Sequence, residues 1–163
     1  MRRVGGGDNE KEKGRRIEKA VVGKTEGVGF EKEDDEKKKD EIRTFYGEVL
    51  GWKSLDVPIL GQQGLLLQVD DSVSQFILLM ESPEPIRSPG YDHLGLLLET
   101  RPEVDDLLQK CRAFQARDDR VKIKEYKDLD QGAVTVHAFY VKYLLPIWFD
   151  IQNMEWQPGA EPK

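Results

Sequence analysis

The side chains best suited to binding a metal ion or a substrate are two histidines, His93 and His137, and one aspartate, Asp150. His93 opens an apolar run, and imidazole is the commonest metal ligand in proteins. Asp150 lies between Phe149 and Ile151, and a buried carboxylate costs free energy unless it is paired or coordinated. Each has a structural alternative, a hydrogen-bonded histidine at a strand end and a carboxylate at an exposed rim. Both interpretations stay open at this point.

Several other classes of chemistry are excluded or disfavoured. The sequence contains no Ser-His-Asp order, no zinc-type cysteine pair and no glycine-rich phosphate loop. Cys111 is the single cysteine, so an intrachain disulfide is excluded. Cys111 falls on the apolar side of a predicted helix and is interpreted as a packing residue.

The charge distribution argues against nucleic acid as a partner. The net charge is −6, and the chain after residue 40 carries 13 basic against 20 acidic residues, whereas phosphate binding needs an excess of lysine and arginine. No apolar run is long enough for a signal peptide or a membrane helix. We therefore expect a cytoplasmic protein with no membrane partner.

Two amphipathic helices are predicted. The first covers residues 34–50 and is closed by Gly51 in the position of a C-terminal helix cap. Its apolar residues recur at helical spacing: Ile42, Phe45, Tyr46, Val49 and Leu50. The second starts at a capping box from Thr100 to Glu103. Its apolar residues also share one face: Val104, Leu107, Leu108, Cys111 and Phe114.

Eight strand-like runs accompany these helices, in the order strand, helix and three strands, twice over. The runs are 27–31, 52–57, 64–70 and 74–81, then 93–99, 121–126, 133–143 and 147–156. A single βαβββ unit leaves one apolar sheet face uncovered, so two such units must pair. We predict an α+β fold in which two cupped mixed sheets surround a central cavity, with the helices on the outside.

The domain boundaries follow from the composition. Residues 1–25 are predicted to form a flexible charged leader, because they offer little apolar surface to bury. The domain covers 26–158, with modules 26–82 and 92–156, and the proline-rich stretch 83–91 links them. Residues 159–163 form a tail.

Two sequence segments carry a resemblance to a known family. They are Phe45-Tyr46-Gly47-Glu48-Val49-Leu50-Gly51-Trp52 at the end of the first helix and Asp92-His93-Leu94-Gly95-Leu96 at the start of the second module. Together with the repeat, they resemble the vicinal oxygen chelate superfamily of lactoylglutathione lyases, extradiol dioxygenases, fosfomycin-inactivating enzymes and bleomycin-resistance proteins. The resemblance implies a cavity in which a divalent ion (Zn, Ni, Mn or Fe) binds neighbouring substrate oxygens as a Lewis acid. It also implies a homodimer in many members.

The resemblance further implies metal ligands on the first and last strands of each module. His93 occupies one such position, and Asp150 stands where the family usually has a glutamate. Glu81 ends the last strand of the first module, although an exposed strand-end glutamate is the alternative. The corresponding first-strand position is Gly27, which has no side chain to offer. The ligand set is thus incomplete.

The remaining predicted pocket residues are His137, Trp148, Gln152, Tyr140 and Trp52, for each of which a place in the core or a purely structural contact is the alternative. Two functions remain open. One is a small-molecule-binding protein with an incomplete metal-ligand set, and the other is a divalent-metal-dependent lyase, isomerase or dioxygenase. A closed pocket in a domain that only assembles with partners is a third option.

Overall fold

The computed structural model describes residues 28–30, 35–69, 75–82 and 92–162. The first module contains β1 Val28–Phe30, α1 Asp35–Leu50, β2 Lys53–Ile59, β3 Gln62–Gln68 and β4 Phe76–Glu81. The second contains β5 His93–Leu97, α2 Arg101–Gln115, β6 Lys122–Glu125, β7 Leu129–Asp130, β8 Val134–Lys142 and β9 Trp148–Trp156. The leader predicted for 1–25 and the linker predicted for 83–91 lie outside the described residues.

The predicted α+β class with two βαβββ modules is confirmed. The first sheet has the strand order β1-β4-β3-β2, and the second has β5-β9-β8-β6 with β7 paired to β8. In each sheet the first strand of the module pairs in parallel with the last, and the other pairs are antiparallel. The short strand β7 lies where the sequence predicted only a turn.

Local signals in the sequence fix the helix ends. Gly51 adopts a φ of 72°, a left-handed conformation that glycine adopts without strain. The N–H groups of Gly51 and Trp52 then donate to the carbonyls of Gly47 and Tyr46, at 3.1 Å each. At the start of α2 the Thr100 N–H donates to the carboxylate of Glu103 at 2.8 Å, which completes the capping box.

Both helices belong to one hydrophobic core. The Phe45 ring of α1 lies 5.0 Å from the Phe114 ring of α2, between centroids. Trp52 stacks on Tyr46 at 5.3 Å and contacts Phe149 of β9 at 5.5 Å. These contacts bury the aromatic residues of the helix-end signature, so we assign that signature to folding. In the described part of the chain, no helix combines the length and apolarity needed to cross a membrane.

Candidate functional site

The side of the second sheet that faces away from the helices carries the candidate site. Phe149 and Ile151 of β9 are buried in the core, and successive side chains of a strand point to opposite faces. The side chain of Asp150 therefore points away from the core. We call this surface the open face, and it is formed by His93, Gly95, Lys124, Tyr140, Lys142, Trp148, Asp150 and Gln152.

Strand register brings the polar groups of the open face together. Tyr140 of β8 and Gly95 of β5 flank Asp150 on either side as its direct partners. His93 pairs with Trp148, and Lys124 pairs with Tyr140. Side chains of directly opposed residues lie about 5 Å apart. Residues that are far apart in the sequence thus form one compact group.

The centre of the group is the carboxylate of Asp150. Its Oδ2 atom lies 3.6 Å from His93 Nε2, and the Asp150 side chain is only 8% exposed while that of His93 is 38% exposed. Burial raises the pKa of Asp150, while His93 and a hydrogen bond from the Tyr140 hydroxyl oppose that rise. Its Oδ1 atom is buried and has no hydrogen-bond partner among the described residues. A buried polar atom without a partner costs about 1–3 kcal/mol, so this oxygen is a place where a ligand would be stabilising.

Aromatic rings and lysines surround this centre. The ammonium of Lys124 lies 4.4 Å from the Trp148 ring centroid and that of Lys142 lies 5.9 Å from it. The Tyr140 ring makes edge contacts with His93 at 5.2 Å and with Tyr126 at 5.4 Å. Positive charge and aromatic surface therefore lie on the same face as the carboxylate, on its own strand and on the next two strands of the sheet, β8 and β6.

Gly95 keeps the space beside Asp150 open. A Cβ atom at this position would lie 3.4 Å from Nε2 of Gln152, which is within van der Waals contact. The absence of a side chain on β5 thus leaves room next to the carboxylate for a small group.

The chemistry of the donor set fits a divalent ion in part. An imidazole nitrogen and a carboxylate oxygen 3.6 Å apart can both reach an ion that bonds each at about 2.1 Å. No group of three or more histidine, cysteine, aspartate or glutamate side chains suited to a metal occurs in the described ranges. The side chain of Glu81 lies outside the described part of the structure, so its predicted role as a third ligand stays a prediction.

Two of the predicted pocket residues lie away from this group. His137 is on the other face of β8, together with Phe139 and Val141, and bonds Asp105 of α2. Trp52 is buried in the core. A small gap nearby, of about 10 Å³, has apolar walls and at most the space of one water; it is lined by Leu50, Trp52, Val69, Leu96, Leu97, Leu98 and Leu107.

Sequence reasoning missed three residues of the open face, Gly95, Lys124 and Lys142, and also Tyr126, whose ring contacts that of Tyr140. The alternation along β8 does place Lys142 on the same side as Tyr140. The positions of the other three depend on the pairing of β6, β8, β9 and β5, which no local pattern specifies.

Comparison with known proteins identifies the fold. No family model matches the sequence, and no curated protein matches it. The fosfomycin resistance protein FosX from Listeria monocytogenes is similar in structure, with a TM-score of 0.53 and 16% identity over 72% of this chain and 81% of that chain.

Two further solved structures are similar to this chain to about the same extent. A FosX mutant from the same organism, complexed with Mn(II) and 1S,2S-dihydroxypropylphosphonic acid, gives a TM-score of 0.54 at 14% identity, over 77% of this chain and 85% of that chain. A hypothetical protein from S. aureus gives a TM-score of 0.52 at 19% identity, over 82% of this chain and 98% of that chain. The chain therefore shares the α+β fold of these proteins, with two helices and two sheets.

Proposed function

We propose that the open face of the second sheet binds a small anionic molecule next to a divalent metal ion held by His93 and Asp150. The observation that carries this proposal is the Asp150 carboxylate, buried beside an imidazole and with one oxygen lacking a hydrogen-bond partner among the described residues. A cation at this position would balance a charge that the fold otherwise buries at a cost.

The metal, when bound, would polarise an oxygen of the ligand as a Lewis acid. Among the described residues, His93 and Asp150 are the imidazole and carboxylate ligands of the open face, so Glu81 or the bound molecule itself would have to complete the coordination. The protein's own residues would then orient the molecule. The Tyr140 hydroxyl holds the Asp150 carboxylate, and Gly95 leaves the adjoining space free. This arrangement suits a binding protein first and a lyase, isomerase or dioxygenase second.

The anionic character of the ligand is argued from the lysines. Lys124 and Lys142 lie over the Trp148 ring, and Asp150 is the carboxylate among the residues that define the open face. Two cations around one buried anion give a local positive balance in a chain of net charge −6. The FosX complex with Mn(II) and a dihydroxypropylphosphonic acid supports a phosphonate, phosphate or carboxylate group as the class to test.

Metal analysis of protein purified without chelator tests the proposal. We expect about one divalent ion per chain, detected by inductively coupled plasma mass spectrometry or by Mn(II) titration followed by electron paramagnetic resonance. His93→Ala and Asp150→Asn should each lose it. Glu155→Gln is the matched control, since Glu155 is an exposed carboxylate on the same strand. Equal metal content in Asp150→Asn and the control would contradict the assignment.

A metal-free binding module is the second candidate function. It is favoured by the small number of ligand side chains, since no group of three or more histidine, cysteine, aspartate or glutamate residues suited to a metal occurs in the described ranges. In that case the protein would contain no ion and would show no Mn(II) binding, yet a phosphonate or aromatic carboxylate would still bind. Calorimetric titration with such a compound distinguishes the two candidates, and Lys142→Gln should weaken binding in both.

We also propose a homodimer. The first sheet presents two large apolar side chains, Leu55 and Phe76, that are 52% and 53% exposed. Tyr126 and Leu129 of the second module are exposed to a similar extent. Apolar surface of this kind marks an interface when it is contiguous, and a homodimer would cover these side chains. Sedimentation velocity of the wild type and of Phe76→Ser would test it, and a monomer at all concentrations would contradict it.

A further inference from the structure

His137 forms a separate polar cluster on the helix-facing side of the second sheet. Its Nδ1 atom lies 2.8 Å from Oδ1 of Asp128, and its Nε2 atom lies 2.9 Å from Oδ1 of Asp105. Asp128 in turn bonds Arg101 at 2.6 Å. The histidine side chain is only 17% exposed, so these contacts are partly shielded from water.

Both ring nitrogens of His137 thus face carboxylate oxygens. A carboxylate accepts hydrogen bonds and donates none, and a neutral imidazole has a single N–H donor. Only the doubly protonated imidazolium can donate to both carboxylates at once. The geometry is therefore satisfied by one protonation state, and loss of the proton must break one of the two bonds.

The two carboxylates belong to different parts of the module. Asp105 lies in α2, whereas Asp128 lies in the segment 126–130, which is the first part of the connection from β6 to β8 and includes β7. Tyr126, at the start of this segment, has its ring 5.4 Å from that of Tyr140 on the open face. The bond from His137 to Asp128 therefore fastens a segment that supplies one wall of the open face.

We propose that His137 is a positioning residue, a protonation-dependent latch that holds the segment 126–130 in place and so keeps Tyr126 against Tyr140. The latch acts through Asp128 and touches neither His93 nor Asp150. Its effect on ligand binding rests on the proposed function of the open face. The latch itself can be tested without any ligand or metal.

The charged groups around the latch support a switch above the ordinary pKa of histidine. Burial lowers the pKa of His137, but the bonds to Asp128 and Asp105 outweigh burial and the nearby Arg101, and the net pKa is raised. From β9, Glu155 acts on Arg101. A histidine with a raised folded-state pKa stabilises the fold fully below the ordinary value of about 6.5. That contribution disappears as the pH rises through the folded-state value.

Nuclear magnetic resonance of the full chain tests the latch. The two histidine signals are assigned with His93→Gln, and the titration of His137 is followed between pH 5 and pH 10, together with amide hydrogen exchange corrected for intrinsic rates. We expect His137 to titrate above its ordinary value. We expect the amides of 127–130 to lose protection by about ten-fold or more over the same range, while those pairing β8 with β9 keep theirs.

Substitutions make the test specific. Asp105→Asn should lower the pH at which the 127–130 amides lose protection from exchange, which we call the step in protection. The reason is that one of the two carboxylates that favour the imidazolium is gone. Asp106→Asn, a neighbouring exposed carboxylate on α2, is the matched control and should leave the step in place. His137→Gln should remove the step and weaken the contact between Tyr126 and Tyr140 at every pH.

Three results would overturn the latch. The first is a His137 titration at or below the ordinary value without any change in the 127–130 amides. The second is a step in protection that persists in His137→Gln. The third is a step in protection that stays at the same pH in Asp105→Asn as in the wild type. This third result decides the question if His137→Gln fails to fold. A different result would count against the proposed function of the open face. In that case the latch opens with pH as described, but its opening leaves ligand binding unchanged.

Discussion

Asp150→Asn should make the metal-free protein more stable at neutral pH while removing its response to metal. Asparagine has nearly the same shape, and its side-chain oxygen can still accept the hydrogen bond from Tyr140. The substitution removes a negative charge from a side chain that is 8% exposed. A stabilising substitution at a candidate ligand position is unusual, because most substitutions destabilise.

The magnitude follows from the buried charge, because the amide nitrogen of asparagine takes the place of the unpartnered Oδ1 and also lacks a partner. An unpartnered buried group costs more when it is charged than when it is neutral, by about 1 kcal/mol, which for a domain of this size corresponds to a rise in Tm of roughly 3 °C. The pKa of Asp150 is raised, so the wild type loses stability as the pH rises from the ordinary aspartate value of about 3.9 through the raised one. The advantage of the variant should therefore be full at neutral pH and disappear in acid.

Differential scanning calorimetry with chelator and with Mn(II) measures both effects. At a metal concentration about a hundred times the Kd, binding should stabilise the wild type by about 2.7 kcal/mol and the variant not at all. Glu155→Gln, the exposed carboxylate on the same strand, should behave as the wild type in both conditions. If Asp150→Asn were less stable in chelator and gained as much from Mn(II) as the wild type, the argument from Asp150 would be refuted.

Three further substitutions or treatments test other parts of the structure. Gly95→Val should leave the Tm within a few degrees but abolish binding of a small phosphonate in calorimetry, since the side chain fills the space on the open face; unchanged affinity would refute this. Tyr46→Phe removes a buried hydrogen bond of 3.1 Å to the carbonyl of Tyr143 and should lower the unfolding free energy in urea by about 1–3 kcal/mol. Burial raises the pKa of Cys111 to about 12, so Ellman's reagent should label its thiol only at the rate of unfolding; rapid labelling of the folded protein would contradict this.

Much of the fold could be predicted because its determinants are local. The apolar stripe and Gly51 specify α1, and the Thr100–Glu103 capping box specifies the start of α2 within a residue. The strands were recovered from apolar runs between turns. The short strand β7 was missed, because its two residues are exposed and carry no apolar pattern.

The site could be predicted only in part. His93 and Asp150 were proposed on the resemblance, and the structure brings them to 3.6 Å from each other. For His137 the sequence leaves two interpretations, a pocket residue and a hydrogen-bonded interior histidine, and its alternation with Phe139 and Val141 along β8 indicates the core-facing side. The lysines of the open face required the register of β6 on β8. Register depends on pairing between distant segments and cannot be derived from one strand alone.

The two histidines show why a count of candidate ligands is a weak guide to metal binding. The carboxylates next to His137 already accept hydrogen bonds, one of them from Arg101 as well. A divalent ion at His137 would therefore have to displace existing partners. Asp150, beside His93, keeps one buried oxygen without a hydrogen bond among the described residues, so a cation there would add an interaction without removing one. For this reason we expect metal, if it binds to the second sheet, to bind on the open face and to leave the titration of His137 unchanged.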